Sequence, residues 1–255
     1  MPDPREVLIV EDEPVVLKVA GMALRAHGIG FREAHDVAEA TALLAEQSCK
    51  VVVSDLKLPG ASGFELLDVV RGMTPSPEVV IITGYATIEN ALEAFRLGSF
   101  DFVPKPFDVE ELVSAVDRAL RYFESPASET TTEDSQYFLG RHSWARLDSD
   151  GAATLGPAET IAVVAGPIES IECTDPGDHS TQGECFCRIT TRDGFTHRVW
   201  APLSGQIISH NPDLIDNLEL IRRQPLTAGW LVRIIPNRLE KELVNLSRHR
   251  SSDAD

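Results

Sequence analysis

The chain has 255 residues, 43% of them apolar, enough for one large or two ordinary hydrophobic cores. Its formal net charge of −17 argues against a DNA partner, because a nucleic-acid-binding face must be basic to displace counterions from phosphate. No apolar run approaches the roughly 20 residues that span a bilayer, and the opening MPDPREVLIVEDE has no basic segment followed by a long apolar one; the expectation is a cytoplasmic protein with no membrane partner.

The first half alternates two hydrophobic periods. Val7–Val10 is a short apolar run bounded by acids and reads as a buried strand. Val15 to Leu24 carries apolar residues at helical spacing, stopped by His27-Gly28. A second strand is expected at Gly30–Ala34 and a second helix at Val37–Glu46. They are followed by a strand at Val51–Ser54, a helix at Phe64–Arg71 and a strand at Val79–Ile82. A helix at Ile88–Leu97, ended by Gly98, leads to a strand at Phe100–Val103 and a helix at Val109–Phe123. Five strands alternating with five helices imply an α/β doubly wound, five-stranded parallel sheet. In such sheets the site lies beyond the carboxyl ends of the strands.

Residues 1–123 therefore read as one domain. Residues 124–136, ESPASETTTEDSQ, read as an acidic flexible linker. Residues 137–250 form a second domain of another kind, with β-like segments at Val199–Ser209 and Trp230–Ile235 and a hairpin turn at Asp193-Gly194. Pro212–Arg222 reads as a short, solvated helix. Arg238–Leu246 reads as an amphipathic one, with Leu239, Leu243 and Leu246 on one face. Trp144, Trp200 and Trp230 read as core residues.

The chemistry-bearing residues of the first half stand at strand ends. Glu11 and Asp12 follow the first strand, Asp55 the third, Thr83 the fourth and Lys105 the fifth. Folded as expected, three carboxylates converge, and they repel one another unless a cation neutralises them. Oxygen-only ligation of this kind suits Mg²⁺. A carboxylate beside that ion is a nucleophile for phosphoryl transfer, with Lys105 and the Thr83 hydroxyl facing the phosphoryl oxygens.

The segments VLIVEDE, VVVSDLKLPGASGFELL and VVIITGYATIENALEAFRLGSFDFVPKPF resemble the response-regulator receiver family, in particular its nitrogen-regulation class. The resemblance implies a flavodoxin-like fold with Asp55 as phosphoacceptor. It implies Mg²⁺ held by Glu11, Asp12, Asp55 and the Lys57 carbonyl, a switch pair of Thr83 and Phe102, and a cis Lys105-Pro106 bond. It also implies phosphorylation by a cognate sensor histidine kinase or phosphotransferase, and homodimerisation through the fourth helix, fifth strand and fifth helix. Beyond accepting phosphate from small donors and losing it again, no enzymatic activity is expected. Lys57 and Tyr85, each two residues beyond a site residue, are bulky enough to hinder the hydrolytic water and tune the phosphate lifetime.

In the second half, His142-Ser143-Trp144, Gly156, Ala201-Pro202-Leu203-Ser204-Gly205, Asn211, Pro225 and Gly229-Trp230-Leu231-Val232 resemble the glycine cleavage system H protein. That family implies a mostly β, lipoyl-like barrel-sandwich domain with short helices. It carries lipoate on a lysine at a hairpin tip, but here the tip is Arg192, Asp193 and Gly194, and the only lysine after Lys105 is Lys241. A guanidinium cannot form the amide, so no lipoate is expected. The domain would then act by binding a downstream protein, whose identity the sequence does not give.

Four cysteines are expected to be reduced. Cys173, Cys185 and Cys187, with His179 and His197 nearby, suggest a second function as a metal or thiol-redox sensor, although their spacing matches no common zinc motif. Cys185 and Cys187, two apart in a strand, are expected to point the same way. A DNA-binding output lacks a helix-turn-helix pattern after residue 137, and an ATPase output lacks the Gly-x-x-x-x-Gly-Lys-Ser/Thr loop.

Overall fold

A computed structural model of the chain describes residues 6–125 and 136–248. The chain divides into two compact units, Met1–Ser125 and Pro126–Asp255. Residues 126–135 of the expected linker lie outside the described residues. Its ends do not: Glu124 closes the last helix of the first unit and Gln136 opens the first strand of the second.

In the first unit β1 (Val7–Val10), α1 (Pro14–Ala26), β2 (Phe31–Ala34), α2 (Val37–Glu46) and β3 (Val51–Asp55) are followed by α3 (Gly63–Arg71), β4 (Glu78–Thr83), α4 (Ile88–Arg96), β5 (Asp101–Pro104) and α5 (Val109–Glu124). The sheet is parallel throughout, in the order β2-β1-β3-β4-β5. This is the doubly wound architecture the alternating periods imply. β1 and β3 are buried along their whole length, which is why they read as unbroken apolar runs instead of alternating ones. Helices α2 and α4 start at side-chain caps: Asp36 accepts from the Glu39 N–H at 2.8 Å, and Thr87 accepts from the Asn90 N–H at 3.2 Å. Phe100 stands just outside β5, although its N–H still donates to the Val79 carbonyl.

The second unit contains β6 (Gln136–Leu139), β7 (Ser143–Leu147), β8 (Ala153–Pro157), α6 (Thr160–Val164), β9 (Ile168–Cys173), β10 (His179–Ser180), β11 (Cys185–Thr191), β12 (Thr196–Trp200) and β13 (Gly205–His210). Then come α7 (Leu220–Arg223), β14 (Val232–Pro236) and α8 (Leu239–Glu242). A six-stranded sheet has the order β10-β13-β14-β8-β7-β6, and a three-stranded sheet the order β12-β11-β9. The mostly β expectation holds. One core takes side chains from both sheets, among them Leu155, Ile189, Val199, Ile207 and Ile234, with Leu239, Leu243 and Leu246 packed against it. The last three form the apolar face expected of the C-terminal segment, although helix covers only Leu239–Glu242 and a 3-10 turn covers Leu243–Asn245.

Pro212–Arg222 is not one solvated helix. It is a 3-10 turn at Pro212–Leu214 and the short α7, with Leu214 and Ile221 buried; two apolar anchors seven residues apart pull this surface segment into the core. Trp144 is fully buried and Trp200 nearly so. Trp230 is partly buried against Phe138, Trp144 and Leu226.

Trp144 is pinned by its indole N–H, which donates to the Pro225 carbonyl at 3.0 Å. A Cβ on Gly156 would stand 2.6 Å from its ring. Gly156→Ala should therefore destabilise the second unit by about 1–3 kcal/mol. Thermal unfolding of the full chain should show one transition moving down and the other unmoved.

Candidate phosphoryl-transfer site

The parallel order places the carboxyl ends of β1, β3, β4 and β5 side by side, and the candidate residues stand there. Glu11 is fully buried, Asp55 is 4% exposed, Thr83 is fully buried and Asp12 is exposed. One carboxylate oxygen from each of Glu11, Asp12 and Asp55 lies within 4.8 Å of the other two, the only such cluster of metal-ligating side chains among the described residues.

Lys105 reaches into this cluster. Its Nζ donates to Glu11 Oε2 at 2.6 Å and to Asp55 Oδ2 at 2.8 Å, with Glu13 Oε1 at 3.8 Å. Its backbone N–H donates to the Thr83 carbonyl at 2.8 Å, so main chain and side chain together fix the lysine between β4 and β1. Burial raises the Glu11 pKa, and the hydrogen bond and charge of Lys105 only partly offset this. Burial alone would lower the Lys105 pKa, but its bonds to Asp55 and Glu11 outweigh that and raise it. Lys105-Pro106 is cis, as the resemblance implies.

The other Asp55 oxygen accepts from the Lys57 N–H at 3.2 Å. Gly63 closes this loop. Its N–H donates to the Leu56 carbonyl at 3.0 Å, and a Cβ there would stand 2.2 Å from the Asp55 carbonyl oxygen. Thr83 Oγ1 accepts from the Tyr85 N–H at 3.1 Å; its own proton is available to a third group. Phe102 is 1% exposed and packs edge-on against Phe95 at 6.3 Å. The Lys57 ammonium lies 4.9 Å from the centre of the Tyr85 ring, so the two residues singled out as bulky neighbours touch each other. Glu13 was not singled out in the sequence; its only signal there is its place in the acidic run after β1.

The donor set is oxygen only, partly buried and open on the Asp12 side, and so fits Mg²⁺. Glu11, Asp12, Asp55 and the Lys57 carbonyl would hold the ion. Bound there, it would supply charge neutralisation for incoming phosphoryl oxygens.

In the second unit, the hairpin between β11 and β12 turns at Arg192, Asp193 and Gly194. Gly194 has φ +86°, and the Arg192 N–H donates to the Pro167 carbonyl at 2.9 Å. All three tip residues are exposed and none is a lysine. Lys241 lies on α8, away from the hairpin in the chain.

The expectation of four reduced cysteines is corrected. Cys173 and Cys187 are joined in a disulfide, because the β9–β11 ladder sets them directly opposite each other. Cys185 and Cys187 do not occupy alternate rungs of a regular strand either. A β-bulge between them pairs Cys185 with Trp200 and Cys187 with Val199, two residues against one step on β12. Cys49 and Cys185 are free.

The family described as response regulator receiver domain matches residues 7–117, and the family described as glycine cleavage H-protein matches residues 136–253. The probable transcriptional regulatory protein TcrX of Mycobacterium tuberculosis is 32% identical over 200 residues, which are 78% of this chain and 79% of TcrX. The DNA-binding transcriptional regulator NtrC of Escherichia coli is 32% identical over 118 residues, 46% of this chain but only 25% of NtrC. The chain thus spans about a quarter of the length of NtrC. The crystal structure of the receiver domain of NtrX from Brucella abortus is 33% identical, over 45% of this chain and 98% of that one, with a TM-score of 0.43.

If the carboxylates hold Mg²⁺, adding the ion at 100 times its Kd should stabilise the first unit by about 2.7 kcal/mol. Asp12→Ala, which removes the exposed member of the set, should abolish the shift. Thermal unfolding with and without Mg²⁺ reads this directly; an equal shift in the variant would place the ion elsewhere.

Proposed function

The chain belongs to the response-regulator family, with a glycine cleavage H-protein-like domain after its receiver, and we propose that it is a phospho-switch with Asp55 as phosphoacceptor. The observation that carries this reading is the convergence of Asp55, Glu11, Asp12, Thr83 and Lys105 on one rim of the sheet.

Receiver domains interact with sensor histidine kinases. The proposed step is attack by an Asp55 carboxylate oxygen on the donor's phosphorus, in line with the departing group, forming an aspartyl phosphate. Lys105, now on Asp55 and Glu11, meets the phosphoryl oxygens as charge builds there. Thr83 turns its free hydroxyl proton toward another phosphoryl oxygen. Its movement vacates space beside Phe102, whose ring follows, and the surface of α4, β5 and α5 changes shape. That surface is the proposed site of self-association.

The second domain is proposed to act by protein–protein interaction without lipoate. The lysine-free tip at Arg192, Asp193 and Gly194 supports this reading. A DNA-binding output, as in NtrC, is the weaker alternative. The match to NtrC covers 46% of this chain, and the second unit matches the H-protein family, on a chain of net charge −17. Metal sensing by the three cysteines is also weaker, because two of them are bonded to each other.

Incubating the purified full chain with a small acyl-phosphate donor and Mg²⁺ should add one phosphoryl group by intact mass, and none to Asp55→Ala. The same spectra should show no lipoyl adduct. Absence of phosphoryl gain in the wild type would sink the switch. Lys57→Ala with Tyr85→Ala removes the cation–π pair beside the site, and phosphate should then be lost several-fold faster; an unchanged half-life would refute the shielding role.

A further inference from the structure

Cys173 and Cys187 are left unused by the phospho-switch. Cys173 ends β9, the edge strand of the three-stranded sheet, and is half-buried; Cys187 is 1% exposed on the central β11. Their Cα atoms are 4.0 Å apart. The third cysteine of the cluster, Cys185, donates its thiol to the Cys187 carbonyl at 3.4 Å, and burial pushes its pKa up against the pull of Arg188 and Arg198. It is thereby kept a neutral thiol, a poor nucleophile toward the neighbouring bond.

The disulfide closes the segment from residue 173 to residue 187, and that segment carries the anchor of the chain's C-terminal stretch. Gln182, 3% exposed, donates through Nε2 to the carbonyls of Pro202 (2.8 Å) and Glu242 (3.0 Å), and its Oε1 accepts from Asn245 Nδ2 at 2.7 Å. Ser204 completes the joint. Its Oγ accepts from the Gln182 N–H at 2.8 Å, while its backbone N–H and hydroxyl donate to the Glu242 carboxylate at 2.7 and 2.5 Å. Beyond the joint, Ser247 exchanges two backbone hydrogen bonds with Phe138, at 2.7 and 3.0 Å, and so covers the outer edge of β6. Residues 239–247 are thus a strap, fixed at one end by the disulfide-closed loop and at the other by the first strand of the domain.

We propose that Cys173–Cys187 is a reversible thiol–disulfide site, opened at Cys173 by a dithiol reductant, and that its state governs how firmly this strap is held. The proposal is independent of phosphorylation. A thiolate of the reductant attacks the sulfur of Cys173, the less buried of the two residues; the S–S bond breaks and Cys187 leaves as thiolate and takes a proton. The second thiol of the reductant then displaces Cys173 as a thiol, leaving the reductant as its own disulfide: two electrons gained by the protein, two lost by the dithiol. The flanking ladder, Arg188 with Glu172 and Ile189 with Ile171, remains to hold the two thiols opposed, so re-formation needs little ordering. Two thiols need more room than one bonded pair. The rung therefore widens next to the Thr174–Phe186 hydrogen bonds that begin the loop, and the loosening passes to Gln182.

The test uses the full chain, quenched in denaturant, alkylated with iodoacetamide and weighed. Two labels are expected as purified in air, on Cys49 and Cys185. Four are expected after dithiothreitol without denaturant, and two again once an oxidised dithiol replaces it. Amide exchange of 174–186 and 239–247 should quicken about tenfold or more on reduction. Cys173→Ser should exchange at the fast rate under both conditions, whereas Cys185→Ser should keep the redox response. Four labels without reductant, a bridge that opens only in denaturant, or equal exchange of 239–247 in both states would each overturn the proposal.

Discussion

The first unit is organised around one ammonium. Glu11 and Asp55 are withdrawn from water almost completely, and two carboxylates so placed are tolerable only with a cation between them. Lys105 bonds both. For this to happen the chain must bring residues 11, 55 and 105 to one point, and a parallel sheet with β1, β3, β4 and β5 as neighbours does so without any loop reaching inward. The apolar runs of the strands carry the energy of that arrangement. The charged ends are what it positions. Gly63 belongs to the same constraint, since the loop carrying Lys57 approaches the Asp55 carbonyl too closely for a side chain.

The second unit also buries a carboxylate, but satisfies it differently. Glu242 is 7% exposed, and its carboxylate accepts from Ser204 twice, once from the main chain and once from the hydroxyl. Ser204 lies in the Ala201-Pro202-Leu203-Ser204-Gly205 segment, one of those that carry the H-protein resemblance. That segment has a structural duty here: its carbonyls and hydroxyl hold Gln182 and the C-terminal strap, and Gly205 lets the Ile235 carbonyl approach within 2.3 Å of where a Cβ would stand. None of these contacts uses a lysine, so this part of the fold does not depend on one at the hairpin tip.

These differences decide what was legible in the sequence. The site residues of the first unit were readable because each ends an apolar run of strand length, and the order of such runs dictates which ends meet. The contact between Lys57 and Tyr85 was not readable, since it depends on how two separate loops fold over the rim. In the second unit the strands near Trp200 and Trp230 follow from their β-like pattern, but the pairing of Cys173 with Cys187 depends on ladder register. A bulge shifts that register by one residue and leaves no trace in composition. The stretch from Asp213 to Arg222 looked solvated because five of its ten residues are polar or charged; only the tertiary burial of Leu214 and Ile221 reveals a 3-10 turn and a short helix in its place.

Charge balance at the Lys105 site sets what phosphorylation can do. A phosphoryl group replaces one carboxylate charge with nearly two, in a pocket where a single ammonium already serves two acids. Lys105 cannot follow the phosphoryl oxygens and keep both of its present partners at 2.6 and 2.8 Å. Glu11, fully buried and already pushed toward its protonated form by burial, is the acid left short. A divalent cation on the Asp12 side is the available compensation. On the proposed reading, the change in the protein is thus a redistribution of one lysine between two buried acids, with Thr83 drawn by its hydroxyl toward the phosphoryl oxygens and Phe102 following it.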